Sequence, residues 1–211
     1  MLPKVFTKVI LTCISRTLDE AQPQEQAGFD QGFSCLDHIQ TMSRVIEVCR
    51  GHRLLLVLTV DYEKAFDSVE TNTILSALVD QGDTTRRYYI VELFTAALQW
   101  IMKSFSWEER GIRVDGNFLS NIRFADDIVL FSSSTNEAET MLNELNEAGK
   151  RIGLRINRKK TQFMKNAYCE DGGVQLEGSQ IVETPSYVYL GRSMNMENDL
   201  NEELNRRMRA A

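Results

Sequence analysis

Two adjacent carboxylates, Asp126 and Asp127, lie between apolar runs in the segment IRFADDIVLFS, and a third, Asp61, follows the apolar run in LLLVLTVDYEKAFD. Apolar residues on both sides of the Asp pair predict two strands joined by a tight acidic turn, and residues 54–60 read as one continuously buried strand. Three acids would then meet at one strand edge. Carboxylates crowded this closely repel one another and raise each other's pKa unless a divalent cation neutralises them. With only two histidines, His38 and His52, and four scattered cysteines, Cys13, Cys35, Cys49 and Cys169, the chain offers hard oxygen ligands. Such ligands favour Mg²⁺, with Mn²⁺ as a substitute, over zinc. The alternative is an ordinary hairpin turn, for which Asp is favoured, with Asp61 opening a helix. The FADD word alone does not choose between them.

Further words follow in a fixed order: EQAGF at 25–29, VDYEKAFD at 60–67, FADD at 124–127, GLRINRKKT at 153–161 and YLG at 189–191. In this order the chain resembles, over nearly its whole length, a reverse transcriptase (RNA-directed DNA polymerase) of a non-LTR (LINE or RTE type) retrotransposon, truncated and internally deleted. The resemblance implies an α+β fold, a right-hand polymerase palm with partial fingers, its antiparallel sheet packed on helices. It implies addition of deoxynucleoside triphosphates to a DNA primer on an RNA template, with two metal ions about 4 Å apart activating the primer 3′-hydroxyl.

By this likeness Asp61 and Asp126 are bridging metal ligands with Asp127 beside them, and Phe66 is the aromatic gate against a 2′-hydroxyl, a role compatible with a core aromatic. Asp67 matches a family position but reads better as a helix cap. Residues 150–165 gather Lys150, Arg151, Arg155, Arg158, Lys159, Lys160 and Lys165 in an otherwise acidic protein, a cluster that can attract phosphates or simply be a solvated basic turn. In the family this segment supplies a lysine near the departing pyrophosphate; Lys160 is the positional match and Lys159 the reserve. Leu190 and Gly191 resemble the primer-grip turn, whose glycine would permit close backbone approach to nucleic acid.

The elements that must position these residues are legible in outline. Leu2, Val5, Phe6, Val9, Ile10, Cys13 and Ile14 share a helical face, and a helix capped by Ser34 is expected to run to Cys49. Helices are expected over 68–82, over 90–102 with Phe94, Ala97, Leu98 and Ile101 inward, and over 136–152 with Met141, Leu142, Leu145 and Ala148 inward. Asp115-Gly116 predicts a hairpin between strands at 112–114 and 118–124. Asp171-Gly172-Gly173 separates two short strands, and 198–209 reads as a terminal helix. The expected division is partial fingers at 1–53, palm at 54–194 and the start of a thumb or connection helix at 195–211.

Two departures from the family pattern bear on activity. Asp30 stands after Phe29 where the family places a cation for the triphosphate, an exchange that could cost a few kcal/mol in a partly desolvated site. The RQGDxxSPxLF segment is missing: Gln81-Gly82-Asp83 only echoes its head, Leu93-Phe94 its tail, and a deletion is read near 82–92.

With 211 residues and 43% hydrophobic content the chain can bury a real core, but is too short to hold thumb and endonuclease as well. A net charge of −6 is poor for a stand-alone nucleic-acid binder, so binding must use local basic patches. Cysteines without CxxC pairs fit a reducing compartment, and with no signal peptide and no membrane-length apolar run the expected location is intracellular, cytoplasm or nucleus. Three functions remain: a polymerase domain, a non-catalytic retroelement remnant with at most weak nucleic-acid binding, and another two-metal phosphoryl-transfer enzyme such as a nuclease. The last leaves EQAGF, GLRIN and YLG accidental.

Overall fold

The computed structural model describes residues 34–50, 54–63, 94, 98, 101–114 and 116–210. Their order is α1 (Cys35–Cys49), β1 (Leu56–Val60), β2 (Ile112–Val114), β3 (Asn117–Leu119), β4 (Asn121–Phe124), β5 (Asp127–Ser132), α2 (Thr135–Lys150), β6 (Gln162–Lys165), β7 (Gln175–Leu176), β8 (Ser179–Gln180), β9 (Val182–Glu183), β10 (Ser186–Tyr189), β11 (Arg192–Asn195) and α3 (Asn201–Ala210). This is a mixed α/β fold. The expected helices at 2–14 and 68–82, the EQAGF word, Phe66 and Asp67 lie outside the described residues. Of the helix expected over 90–102, Phe94, Leu98, Ile101 and Met102 are described, all helical and buried.

A five-stranded sheet in the order β4-β5-β1-β6-β9 forms the centre. β1 is buried along its whole length and pairs antiparallel with both neighbours, which is why its run is apolar throughout except for Thr59. The two-residue alternation of strands sorts the sheet into two faces. Leu56, Leu58, Val60, Ile128 and Leu130 pack with Ala138, Met141, Leu142 and Leu145 of α2 and with Phe94, Leu98 and Ile101. Val57, Val129 and Phe131 face the other way, toward Ile39, Met42, Val45 and Ile46 of α1 and toward Tyr189 and Met194 of the β10–β11 hairpin.

Local chemistry sets the helix limits. Asp37 accepts from the backbone N–H and hydroxyl of Ser34, opening α1 at the expected cap. Ser134 accepts from the Glu137 N–H, so α2 starts at Thr135. It ends two residues earlier than expected because Gly153 takes φ +82° and the Leu154 N–H returns to the Gly149 carbonyl at 2.9 Å. The strand expected over 118–124 is in fact two. β3 pairs with β2, whereas β4 pairs with β5, and the break falls at Ser120, whose carbonyl accepts from Phe131 N–H at 2.8 Å. The terminal helix α3 is fastened by Glu203, buried and accepting from the Ser193 N–H, Arg206 and Arg207, which hold its carboxyl far below the usual range. Among the described residues no helix is long and apolar enough to cross a membrane.

Two glycines separate steric from conformational cost. Gly111 has φ +94° and a Cβ there would lie 2.2 Å from the Leu119 carbonyl oxygen, whereas Gly191, at φ +82°, has nothing within 4 Å. Gly191→Ala is expected to cost about 1 kcal/mol for the left-handed backbone alone. Gly111→Ala should cost clearly more, on the order of 2–3 kcal/mol, because backbone must also move. Urea midpoints of the two variants, compared at equal m-value, check the ranking.

Candidate active site

The ladder between β1 and β5 ends at Val60 opposite Ile128, so one step further along the same register sets Asp61 beside Asp127. Asp127 in turn pairs with Phe124 of β4, closing a two-residue turn of Ala125 and Asp126. Ala125 takes φ 56°, a left-handed conformation that costs a non-glycine residue roughly 1–2 kcal/mol. Local strain of this kind is retained where a turn's position matters. Asp61 and the adjacent pair Asp126 and Asp127, more than sixty residues further along the chain, thus share one sheet edge.

The GLRINRKKT segment is laced to the same edge. Asn157 donates its N–H to the Asp61 carbonyl at 2.8 Å, Glu63 donates to the Arg155 carbonyl at 2.8 Å, and Tyr62 bridges Ile156. The Thr161 hydroxyl, wholly buried, accepts from the Asp61 N–H at 3.3 Å. The Asn157 side-chain oxygen accepts from the N–H groups of Lys159 and Lys160, fixing the turn between them. As a result Lys160 Nζ stands 3.5 Å from Asp61 Oδ1. Asn157 and Thr161, which hold this arrangement, were not among the expected site residues; a turn-forming Asn followed four positions later by a strand-opening Thr was the available signal.

The charges sense one another. Burial, then Asp126 and Asp61, push the Asp127 carboxyl up to about 6, with Lys160 opposing. Burial and the Asp61 charge also raise Asp126. The second oxygen of Asp61 is buried without a hydrogen-bond partner. An edge with excess negative charge and an unpartnered carboxylate oxygen has the donor chemistry that a hard divalent cation satisfies. Among the described residues, no group of three or more His, Cys, Asp or Glu side chains stands close enough together to hold a metal ion.

Part of the basic cluster is paired within the protein. Lys150 pairs with Glu147 and Glu177, Arg158 with Glu177, and Lys165 with Glu183 while donating to the carbonyls of Glu170 and Gly172. Lys160 is the member of the cluster paired to an acid of the site, whereas Lys159, its reserve, makes no such pair among the described residues. Side chains from α2, from the β7–β8 turn and from β9 thus neutralise part of the cluster.

Leu190 and Gly191 form the two-residue turn of the β10–β11 hairpin, both with positive φ, as such a turn requires. The glycine is there for its backbone angle, not for a close approach within the chain, since space beside it is open. Two tyrosines of this hairpin, unforeseen from the sequence, feel the charge of the acids. Tyr187 hydrogen-bonds Thr59 and lies in the field of Asp127 and Asp61; Tyr189 lies in that of Asp127; burial first, then these charges, raises both phenols. The alternation in SYVYLG, which sends both tyrosines to one face, was the signal.

Residues 93–194 match the family model of reverse transcriptase (RNA-dependent DNA polymerase). An uncharacterized transposon-derived protein of Caenorhabditis elegans is 40% identical over 104 residues, 47% of this chain and 37% of that protein. The chain therefore spans well under half of that relative. Together the two matches support a retrotransposon reverse transcriptase domain. The matched stretch carries Asp126, Asp127, Lys159, Lys160, Leu190 and Gly191; Asp61 lies upstream of it and joins the site through the sheet.

The raised Asp127 carboxyl has a stability consequence. The folded state keeps this proton up to about pH 6, whereas the unfolded chain loses it near 3.8. The folded state binds more protons across that window, so stability falls as pH rises through it. Asp127→Asn is expected to raise stability at pH 7 in metal-free buffer by about 1 kcal/mol, allowing for solvent screening, and to leave it unchanged below pH 4. Thermal melts at both pH values check this, and added Mg²⁺ should narrow the difference at pH 7.

Proposed function

We propose that this chain is a reverse transcriptase domain of the non-LTR retrotransposon type, internally deleted, with partial fingers at 1–53, palm at 54–194 and a thumb or connection helix beginning at 195–211. Its reaction is template-directed addition of deoxynucleotides to a primer 3′-hydroxyl on an RNA template. The observation that carries the reading is the shared edge where Asp61, Asp126 and Asp127 meet Lys160.

Drawn together on a divalent cation, Asp61, Asp126 and Asp127 would hold Mg²⁺ or Mn²⁺, which would lower the pKa of the primer hydroxyl and neutralise charge on the phosphates. The primer hydroxyl loses its proton to water, its oxygen attacks the α-phosphorus in line, the bond to pyrophosphate breaks, and Lys160 gives a proton to that leaving group. In the free protein its ammonium is held by Asp61, ready to exchange partners when a triphosphate arrives. Phe66 excludes the ribose 2′-hydroxyl, Lys159 assists with the nucleotide, and the Leu190-Gly191 turn contacts the primer. Activity in this chain is attenuated by Asp30 and by the segment missing near 82–92. RNA, DNA and nucleotides are the partners, and the site of action is inside the cell.

The test is extension of a DNA primer on a homopolymer RNA template by the purified chain, alone and with the missing segment restored. Extension should require Mg²⁺ or Mn²⁺ and disappear in Asp126→Ala. Lys160→Ala should lower kcat by about 100-fold with little change in KM. Phe66→Ala should admit ribonucleotides without abolishing extension. Silence with Mn²⁺ in both the parent and the restored chain would leave the second reading, a folded but non-catalytic remnant.

A further inference from the structure

Helix α1 carries one histidine into the apolar layer beneath the hairpin. His38 is buried, its Nδ1 lies 3.3 Å from the Tyr189 hydroxyl, and its ring meets Phe124 edge to face at 5.7 Å and 76°. Tyr189, 2% exposed, directly precedes the Leu190-Gly191 turn. Phe124 is the last residue of β4 and the closing partner of Asp127. A single imidazole therefore touches both hairpins of the site, the one bearing the acids and the one bearing the proposed primer turn.

The polar pair is not needed to fill space. Leaving either group unpaired in an apolar layer would be costly, and a phenylalanine would occupy similar volume without that risk. Burial favours the neutral imidazole, and with its proton on Nε2 the ring accepts from the Tyr189 hydroxyl at Nδ1. A directional bond fixes the rotation of Tyr189 about its side-chain axis; apolar packing leaves it freer.

We propose that His38 is a positioning residue: by bonding Tyr189 and packing against Phe124, it sets the spacing between the Leu190-Gly191 turn and the Asp126-Asp127 turn. What that spacing serves, holding a primer end against the reacting phosphate, rests on the reverse transcriptase reading. The coupling between the two hairpins does not.

The experiment uses the whole chain and His38→Phe, His38→Gln, Tyr189→Phe and the His38→Phe/Tyr189→Phe pair. It follows amide exchange of the 188–194 hairpin with the interior of α2 as internal reference, and primer extension in parallel. His38→Phe and Tyr189→Phe should each speed hairpin exchange by about 5- to 10-fold with α2 unchanged; the double variant should be no faster than either, and His38→Gln should restore most of the protection. In extension the KM for primer should rise several-fold more than kcat falls. Additive effects, unchanged hairpin exchange in His38→Phe, or equal loss of protection in α2 would each overturn the proposal. If the parent extends no primer, the polymerase reading fails, and the exchange data still decide whether His38 couples the hairpins.

Discussion

The site depends on the register of one backbone ladder, β1 against β5. Side chains alternate faces along a strand, so a slip of one residue would send Asp61 or Asp127 to the opposite face and separate them. That register is held by apolar residues on both faces of β1, where Leu56, Leu58 and Val60 bind the α2 side and Val57, with Leu55 just before the strand, the α1 side. A strand committed on both faces has no alternative pairing that keeps its side chains buried. The core thus specifies the meeting of charges that it does nothing to stabilise.

That meeting is electrostatically unfavourable in the free protein. Burial raises both members of the Asp126-Asp127 pair, joined at Asp126 by the charge of Asp61 and at Asp127 by those of Asp126 and Asp61, and Lys160 is a partial counterweight from a largely exposed side chain. An exposed ion pair of this kind contributes little. The fold tolerates the arrangement because the surrounding sheet is buried and closely bonded, a division of labour in which packing sustains a site that charge alone would disperse. The same logic applies to the left-handed Ala125, held by the hairpin closing at Phe124 and Asp127.

The two ends of the site are built differently. Around Asp61 the GLRIN segment uses backbone hydrogen bonds and the Asn157 and Thr161 side chains, which makes Lys160 a product of turn geometry. Over the other face lies the β10–β11 hairpin, tied to α1 through His38 and to α3 through Glu203 and through Arg206, which donates to the Gly191 carbonyl. The likeness to reverse transcriptases covers residues 93–194, so it reaches both of these ends but not β1 itself. The sheet supplies the missing acid.

Much was legible in the residue order. The buried central strand, the acidic turn, the two amphipathic helices α1 and α2 and the serine cap of α1 follow from hydrophobic period and capping chemistry, which act over a few residues. The word order also marked Asp61, Asp126, Asp127 and Lys160 as belonging together. What the sequence could not express was long-range partnership. Nothing local shows that Glu177 and Glu183 pair with part of the basic cluster, that Tyr187 and Tyr189 feel the charge of the acids, or that the strand after Gly116 divides at Ser120 between two ladders. Those outcomes depend on which surfaces the sheet brings into contact, and only the folded chain decides them.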